Sequence, residues 1–233
     1  MSTPLPSAPA WKPLEATQRR VLGVLVEKAK TTPGAYPLTV NALVTGCNQK
    51  NNREPLTAYD DTDVEQALDA LCTLKVASEI DWMGRVPKYK HHAHEWLGVS
   101  RVELAVLAEL LLRGAQTLGD LRARAARMEE IADQGALKPI VDGLVARGLM
   151  LELTPPGRGQ IVSHNLYLAP EREALERLYA GGAPAEAAGT RGALDPRSTT
   201  PASDAVLEEL RAQVAALEER VRALEARLEA AGG

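Results

Sequence analysis

The segment Val64–Ile80, VEQALDALCTLKVASEI, has a counterpart in Leu137–Leu153, LKPIVDGLVARGLMLEL. In both segments, apolar residues recur at i, i+4 and i+7, which predicts a helix, and a short apolar stretch typical of a strand follows. The two segments align without a gap, pairing Val64 with Leu137, Leu68 with Val141, Asp69 with Asp142, Leu71 with Leu144, Glu79 with Glu152 and Ile80 with Leu153. The chain therefore contains an internal repeat.

The repeat extends upstream to two further predicted helices in each unit. In the first unit, an amphipathic helix is predicted from about Thr17 to Lys30, and a second begins after Thr39, a residue type that caps helix N-termini. In the second unit, RVELAVLAELLLRG predicts the first helix and Thr117 is expected to cap the next one.

Strands are predicted after the third helix of each unit. The third helix of the first unit is expected to be capped by Asp61 or Thr62, and VASEI and VPKYK follow it as a hairpin. In the second unit, the strands are LMLEL and IVSHNLYLA. Three helices followed by a β-hairpin form the winged-helix arrangement, a relative of the helix-turn-helix.

The predicted fold class is mainly α with small β-hairpins (α+β), with two tandem winged-helix domains and a C-terminal coiled-coil helix. The second domain ends in one more helix, PEREALERLY, and the linker after it is rich in Ala, Gly and Pro. The predicted ranges are a disordered N-terminus at 1–13, winged-helix domains at 14–98 and 99–180, a disordered linker at 181–204 and a coiled-coil helix at 205–231.

The C-terminal segment carries a heptad pattern, with leucine and valine alternating in steps of three and four. Arg220 at a g position can meet Glu225 at an e position of a second chain, which favours a parallel homodimer. The alternative is a solitary amphipathic helix that folds back on its own chain. The predicted dimer seam consists of Leu207, Leu210, Val214, Leu217, Val221, Leu224 and Leu228.

Composition excludes several classes of protein. The formal net charge of −4 over 233 residues means that any nucleic-acid contact must come from a local basic patch. The N-terminus is unlike a signal peptide and no apolar run reaches the roughly 20 residues that span a bilayer, so we expect a cytoplasmic protein without a membrane partner. Cys47 and Cys72 lack metal-ligand spacing and are expected to be buried thiols.

Motifs for catalysis are not found in the sequence. It has no P-loop, no GxGxxG after a strand, no GxSxG and no HExxH, so we expect a protein that is not an enzyme and has no cofactor. The run HHAH, with His91, His92 and His94, is a weak metal-binding signal because no carboxylate lies at helical spacing from it.

The third helices argue against simple reading of a DNA major groove. In the first unit, the predicted exposed positions are Asp63, Glu65, Gln66 and Asp69, an acidic face that repels phosphate. The corresponding face of the second unit is close to neutral.

Basic residues lie elsewhere. They occur in the loop CNQKNNREP, around the first hairpin, and in LRARAARM, Leu121–Met128. The arginines of that segment either bind phosphate or serve structure, through helical pairs such as Asp120 with Arg124 and Arg127 with Glu130; on a continuous helix, Arg127 points away from the core. The candidate contacts to nucleic acid or a protein partner are Lys50, Arg53, Arg85, Lys88, Lys90, Arg122, Arg124 and Arg127.

The stretches EKAKTTPGAYPLTVNALVTGCNQKNNREP and LLRGAQTLGDLRARAARM closely resemble the YceH-like bacterial proteins. The resemblance covers roughly residues 14–168 and implies tandem winged-helix units in a bacterial cytosolic protein of undetermined function. Where that family continues with a Leu-Ser-Glu cap before the third helix, this chain has AYDD. The resemblance transfers no catalytic or binding residues.

Two functions follow as hypotheses. The first is a DNA-associated, transcription-regulator-like protein that contacts phosphates weakly through its basic residues. The second is a protein-interaction adaptor, because acidic third helices suit a protein partner better than a duplex. The two are distinguished by whether the basic side chains converge on one surface.

Overall fold

The computed structural model describes residues 11–80 and 86–180, which all belong to one compact unit. Arg85, the linker and the predicted coiled-coil seam lie outside these residues. Trp11, which falls in the range predicted to be disordered, packs against the hydrophobic core.

The structure is mixed α and β, mostly helical with two small antiparallel sheets. The helices are α1 Ala16–Thr31, α2 Val40–Cys47, α3 Asp61–Thr73, α4 Ala93–Leu97, α5 Arg101–Arg113, α6 Leu118–Ala125, α7 Gln134–Ala146 and α8 Ala169–Tyr179. The strands are β1 Ala77–Ile80, β2 Lys88–His91, β3 Gln116–Thr117, β4 Met150–Glu152 and β5 Ile161–His164.

Capping side chains begin five of these helices, α2, α3, α5, α6 and α7. The predicted caps Thr39 and Thr117 are confirmed, since their hydroxyls accept hydrogen bonds from the backbone N–H groups of Ala42 and Asp120 at 3.3 and 3.2 Å. The cap predicted for α3 is wrong by one or two residues, because Asp60 begins that helix.

Asp60 is the N-cap because it forms a reciprocal pair of hydrogen bonds with Asp63. Its carboxylate accepts from the Asp63 N–H at 2.9 Å, and the Asp63 carboxylate accepts from the Asp60 N–H at 3.1 Å. Only a cap three residues before an acceptor side chain can form this capping box, and Asp61 and Thr62 have no such spacing to Asp63.

The sheets repeat the same topology in both halves of the chain. β1 and β2 form a hairpin, and β4 and β5 form the equivalent one, with β3 added to the other edge of β5. In the first half, an isolated bridge between Leu38 and Tyr89 takes the place of the β3–β5 pairing. The strand that enters the second helix is thus joined to the hairpin in each repeat.

α1 and α5 run antiparallel and join the two repeats into a continuous hydrophobic core. A Cβ placed on Gly23 would lie 3.0 Å from the Leu112 side chain, and at the other end Lys30 Nζ donates to the Arg101 carbonyl at 3.2 Å. Glycine therefore permits the close approach of these two helices at Leu112.

α8 is the additional helix that the sequence predicts after the second hairpin. It contacts the first repeat as well, because the Arg19 guanidinium on α1 donates to both Glu171 oxygens, at 2.7 and 2.8 Å. Among residues 11–80 and 86–180, no helix combines the length and apolar character needed to cross a bilayer.

Candidate functional site at the junction of the repeats

One arginine of the loop after α2 is buried inside the protein. The side chain of Arg53 is fully buried and pairs with both oxygens of Glu27 on α1. Its remaining donors reach the carbonyls of Gly46 and Asn52 at 2.8 and 2.7 Å and the Gln49 side chain at 3.1 Å. A guanidinium has five N–H donors, and all five of Arg53 are used within the protein.

Arg127 links the two repeats. Its Nη1 donates to Glu27 on α1, and its Nη2 donates to Glu109 Oε2 on α5 at 2.9 Å. The two carboxylates are 3% and 0% exposed, whereas the Arg127 side chain is 26% exposed. One guanidinium thus neutralises a buried carboxylate from each half of the chain.

Two more arginines surround Glu109. Arg113 Nε lies 3.2 Å from Glu109 Oε1, although not in hydrogen-bonding geometry. Arg124 donates to the Gln116 side chain at 2.6 Å, and Gln116 in turn donates to the Glu109 backbone carbonyl at 3.4 Å. Three arginines, Arg53, Arg113 and Arg127, therefore contact the two buried carboxylates, and Arg124 acts on Glu109 through its charge.

The two carboxylates differ in their proton affinity. Burial opposes ionisation of Glu27, but hydrogen bonds and positive charge from Arg53 and Arg127 outweigh it and lower the Glu27 pKa. For Glu109, burial is the stronger effect and raises the pKa in spite of Arg127 and Arg113. The pKa of Arg113 is lowered by burial and then by the positive charge of Arg124, which shows that cations crowd this end of the cluster.

All three arginines of the segment LRARAARM form hydrogen bonds with other parts of the protein. Besides Arg124 and Arg127, Arg122 donates to the backbone carbonyls of Ile131 and Ala132, both at 3.1 Å. The expectation that Arg127 points away from the core is wrong: α6 ends at Ala125, so helical periodicity no longer governs residue 127. Arg127 pairs with Glu27 and Glu109, which are distant in sequence.

The predicted basic residues do not all meet on one surface. Lys50 is exposed and lines an open polar cavity of about 530 Å³ beside Arg53 and Arg113. Lys88 and Lys90 lie on β2, two residues apart and so on the same face of the hairpin. Arg85 lies outside the described residues.

Glu27 and Glu109 are not among the residues predicted from the sequence, although the sequence contains a pattern that could have identified them. The α1 segment LGVLVE, residues 22–27, matches the α5 segment LAVLAE, residues 104–109, and each ends in the buried glutamate. A glutamate on the apolar face of two equivalent helices needs a cationic partner in the core.

The three histidines of HHAH have different hydrogen-bond partners. The backbone N–H of Ala93 donates to His91 Nδ1 at 3.3 Å, His92 Nε2 lies 2.8 Å from Ser78 Oγ, and His94 Nδ1 lies 3.1 Å from the Val99 carbonyl. Within the described part of the chain, no group of three or more His, Cys, Asp or Glu side chains could hold a metal ion.

The sequence of this junction can be compared with known families. The model of a family described as "Protein of unknown function, DUF480" matches residues 14–158, a range that includes both glutamates and all four arginines. The chain belongs to the DUF480 family.

Curated bacterial relatives of the DUF480 chain are UPF0502 proteins. One from Rhodopirellula baltica is 55% identical over 161 residues, covering 69% of this chain and 68% of the relative. One from Geobacter sulfurreducens is 46% identical over 168 residues (70% and 77%), and one from Xanthomonas axonopodis is 39% identical over 221 residues (94% and 96%). These names carry no activity, so a function must be argued from the structure.

Proposed function

We propose that this DUF480 protein is a non-enzymatic protein-interaction module made of two winged-helix units. The winged-helix assignment is supported by the order of three helices and a hairpin in each half, and by the edge pairing of Leu38 with Tyr89 and of β3 with β5. Such a unit presents its third helix to a partner.

The exposed faces of the third helices carry the proposal. On α3, the side chains of Asp61, Asp63, Glu65 and Asp69 are all exposed. A duplex brings one negative charge per roughly 1.7 Å of its axis, so this face repels it. A protein partner with Lys or Arg side chains is complementary to the same face.

The equivalent helix of the second repeat offers a different surface. On α7, Gly135, Ala136 and Pro139 are exposed, and the one lysine of the helix, Lys138, pairs with Asp142. Small residues permit close approach of another protein surface, whereas phosphate binding needs unpaired cations. Both third helices therefore favour a protein ligand over a nucleic acid.

The inter-repeat arginine network gives this module a defined geometry. Because Arg127 bonds to carboxylates on both α1 and α5, the two repeats are held in one relative position. A partner would meet α3 and α7 as two surfaces of one rigid body, which reduces the entropy lost on binding.

The proposal is tested by affinity capture from a bacterial lysate with the tagged full chain, with and without nuclease. We expect proteins that remain bound after nuclease treatment and are lost with the variant Glu65→Lys/Asp69→Lys. The matched control is Glu173→Lys/Glu176→Lys, which makes the same charge change at exposed positions of α8. Capture that nuclease abolishes, or that both variants retain, would overturn the assignment to α3.

DNA association is the second candidate, favoured by Lys88 and Lys90 on the same face of the first hairpin. Fluorescence anisotropy with a labelled duplex tests it, with Lys90→Gln as the variant. We expect at most weak binding, on the order of micromolar, that falls with salt at a slope near −0.9 per phosphate neutralised. Absence of binding at about 50 mM salt rejects DNA association.

A further inference from the structure

The open cavity at the junction of the repeats is built from a loop and the end of a helix. It has a volume of about 530 Å³ and is lined by residues 50–54, Leu56 and Arg113. We propose that this cavity binds a small oxyanion ligand, of the class of phosphate-bearing metabolites. The inference is independent of the proposed protein-interaction function.

The charges around the cavity are unbalanced. Three cations line it, namely Lys50, Arg53 and Arg113, and Glu54 supplies the one carboxylate of the lining. Two buried carboxylates lie behind the wall, Glu27 beside Arg53 and Glu109 beside Arg113, and Arg127 pairs with both of them. The excess positive charge contrasts with the net charge of −4 for the whole chain. Unbalanced positive charge in a partly buried site is stabilised by a bound anion.

Suitable donors are present at the wall of the cavity. Arg113 is 20% exposed and donates from Nη2 to the Asn52 side chain at 3.0 Å. Its Nε lies buried against Glu109 without a hydrogen bond, so the Nη atoms are the part of this guanidinium that could meet a ligand. Lys50 is exposed at the same wall, and its ammonium can reach a ligand held by Arg113.

The backbone of the loop is shaped around Asn52. This residue has a φ of +60°, in the left-handed region that asparagine adopts more readily than most other residues. The loop is held on one side by Arg53, and on the other by the Glu54 N–H, which donates to the Leu112 carbonyl at 2.9 Å. The wall is thus anchored to α5 and to the buried glutamate of α1.

The size and polarity of the cavity select the ligand class. Its volume lies in the range of small-molecule sites, roughly 300–1,000 Å³. Its lining is charged and amide-rich, with Leu56 as its one large apolar side chain, so an apolar ligand gains little there. A phosphate group matches the paired donors of a guanidinium and an ammonium.

Calorimetric titration of the full chain with inorganic phosphate and pyrophosphate tests the proposal. We expect saturable binding that weakens about tenfold or more in Lys50→Glu, and less in Lys50→Gln and in Asn52→Gly, which keeps the left-handed backbone. The control Arg158→Gln removes an exposed cation in the β4–β5 connection and should bind like the wild type. Melting curves without ligand establish that each variant folds.

A general salt effect must be separated from binding, because phosphate and sulfate stabilise many proteins by exclusion from their surface. A rise in Tm that is equal in wild type and Lys50→Glu would identify that effect and overturn the proposal. So would the absence of saturable heat. Competition by a short duplex with phosphate for the wild-type site would assign the cavity to a nucleic-acid backbone instead of a small molecule, and would also overturn it.

Discussion

Glu27 and Glu109 occupy equivalent positions in the first helices of the two repeats, and Arg127 donates a hydrogen bond to each of them. Both carboxylates are buried, so neither could remain ionised without a cationic partner. The junction of the repeats therefore depends on a residue that lies 100 positions from one glutamate and 18 from the other. We therefore expect substitutions that break this relationship to destabilise the fold.

Replacing Arg127 with Met should destabilise the fold. The change keeps most of the aliphatic volume but leaves Glu109 without its hydrogen-bonded cation and Glu27 with Arg53 alone. Breaking a buried ion pair from one side costs about 3–5 kcal/mol, and partial exposure of Arg127 reduces this to roughly 2–4 kcal/mol. Urea unfolding followed by circular dichroism measures it.

Arg122→Met is the matched control for that variant. Arg122 lies five residues earlier and donates only to two backbone carbonyls, so we expect a loss of about 1 kcal/mol or less. Adding Glu109→Gln to Arg127→Met should recover part of the lost stability, since the uncompensated buried charge is then removed. Equal losses for the two arginines would contradict the role assigned to Arg127.

Two helical glycines should respond to alanine in opposite directions. In Gly23→Ala, the new Cβ lies 3.0 Å from the Leu112 side chain and 3.2 Å from Leu111 Cβ, so the α1–α5 contact must open by a few tenths of an ångström. In Gly143→Ala on α7, nothing lies within 4 Å, and the higher helix propensity of alanine should stabilise the protein by about 0.5–1 kcal/mol. Thermal unfolding of both variants checks this. If both variants were more stable than the wild type, the α1–α5 contact would have enough space for a methyl group at residue 23, and the prediction would be wrong.

The stability of the fold should decrease as the pH falls from about 6.5 to 4. His91 and His164 end the equivalent strands β2 and β5, and each Nδ1 accepts a hydrogen bond from a backbone N–H two residues ahead, at 3.3 and 3.2 Å. Burial, followed by the charge of His94, lowers the pKa of His91 to about 4, and burial with the charge of Arg19 lowers the pKa of His164.

The sign follows from proton uptake. Below pH 6.5 the unfolded chain protonates these histidines while the folded protein keeps them neutral, so acid favours unfolding. His91 alone should cost roughly 1–2 kcal/mol between pH 7 and pH 5. Urea unfolding at several pH values measures the slope, and His91→Asn, whose side-chain oxygen can accept the same bond, should reduce it. A pH dependence between pH 7 and 5 that is the same in His91→Asn and in the wild type would refute the assignment.

The predicted seam at residues 205–231 should make the full chain a dimer. Light scattering of the full chain at micromolar concentration is expected to give twice the monomer mass, and Val221→Asp should give a monomer because a charge at an a position disrupts the apolar seam. Glu218→Asp, which lies outside the predicted seam and keeps its charge, serves as a conservative control. A monomeric wild-type chain would favour the alternative, in which this segment folds back on its own protein.

Much of the fold follows from local sequence. The caps at Thr39 and Thr117 and the helical spacing of Val64, Leu68 and Leu71 are set by interactions over three or four residues, which a sequence displays directly. The cap at Asp60 was missed because two neighbouring residues, Asp61 and Thr62, are equally good caps in isolation, and only the reciprocal bond with Asp63 distinguishes them.

The partners of the arginines could not be predicted in the same way. The sequence by itself determined the two repeats, their helices and the acidic face of α3, because periodicity and charge pattern are local properties. Only the tertiary structure decided that Arg53 and Arg127 form ion pairs with buried glutamates. It also decided that Lys50 and Arg113 line an open cavity. An ion pair between Arg127 and Glu27 depends on how α1 packs on α5, and no spacing along the chain records that distance.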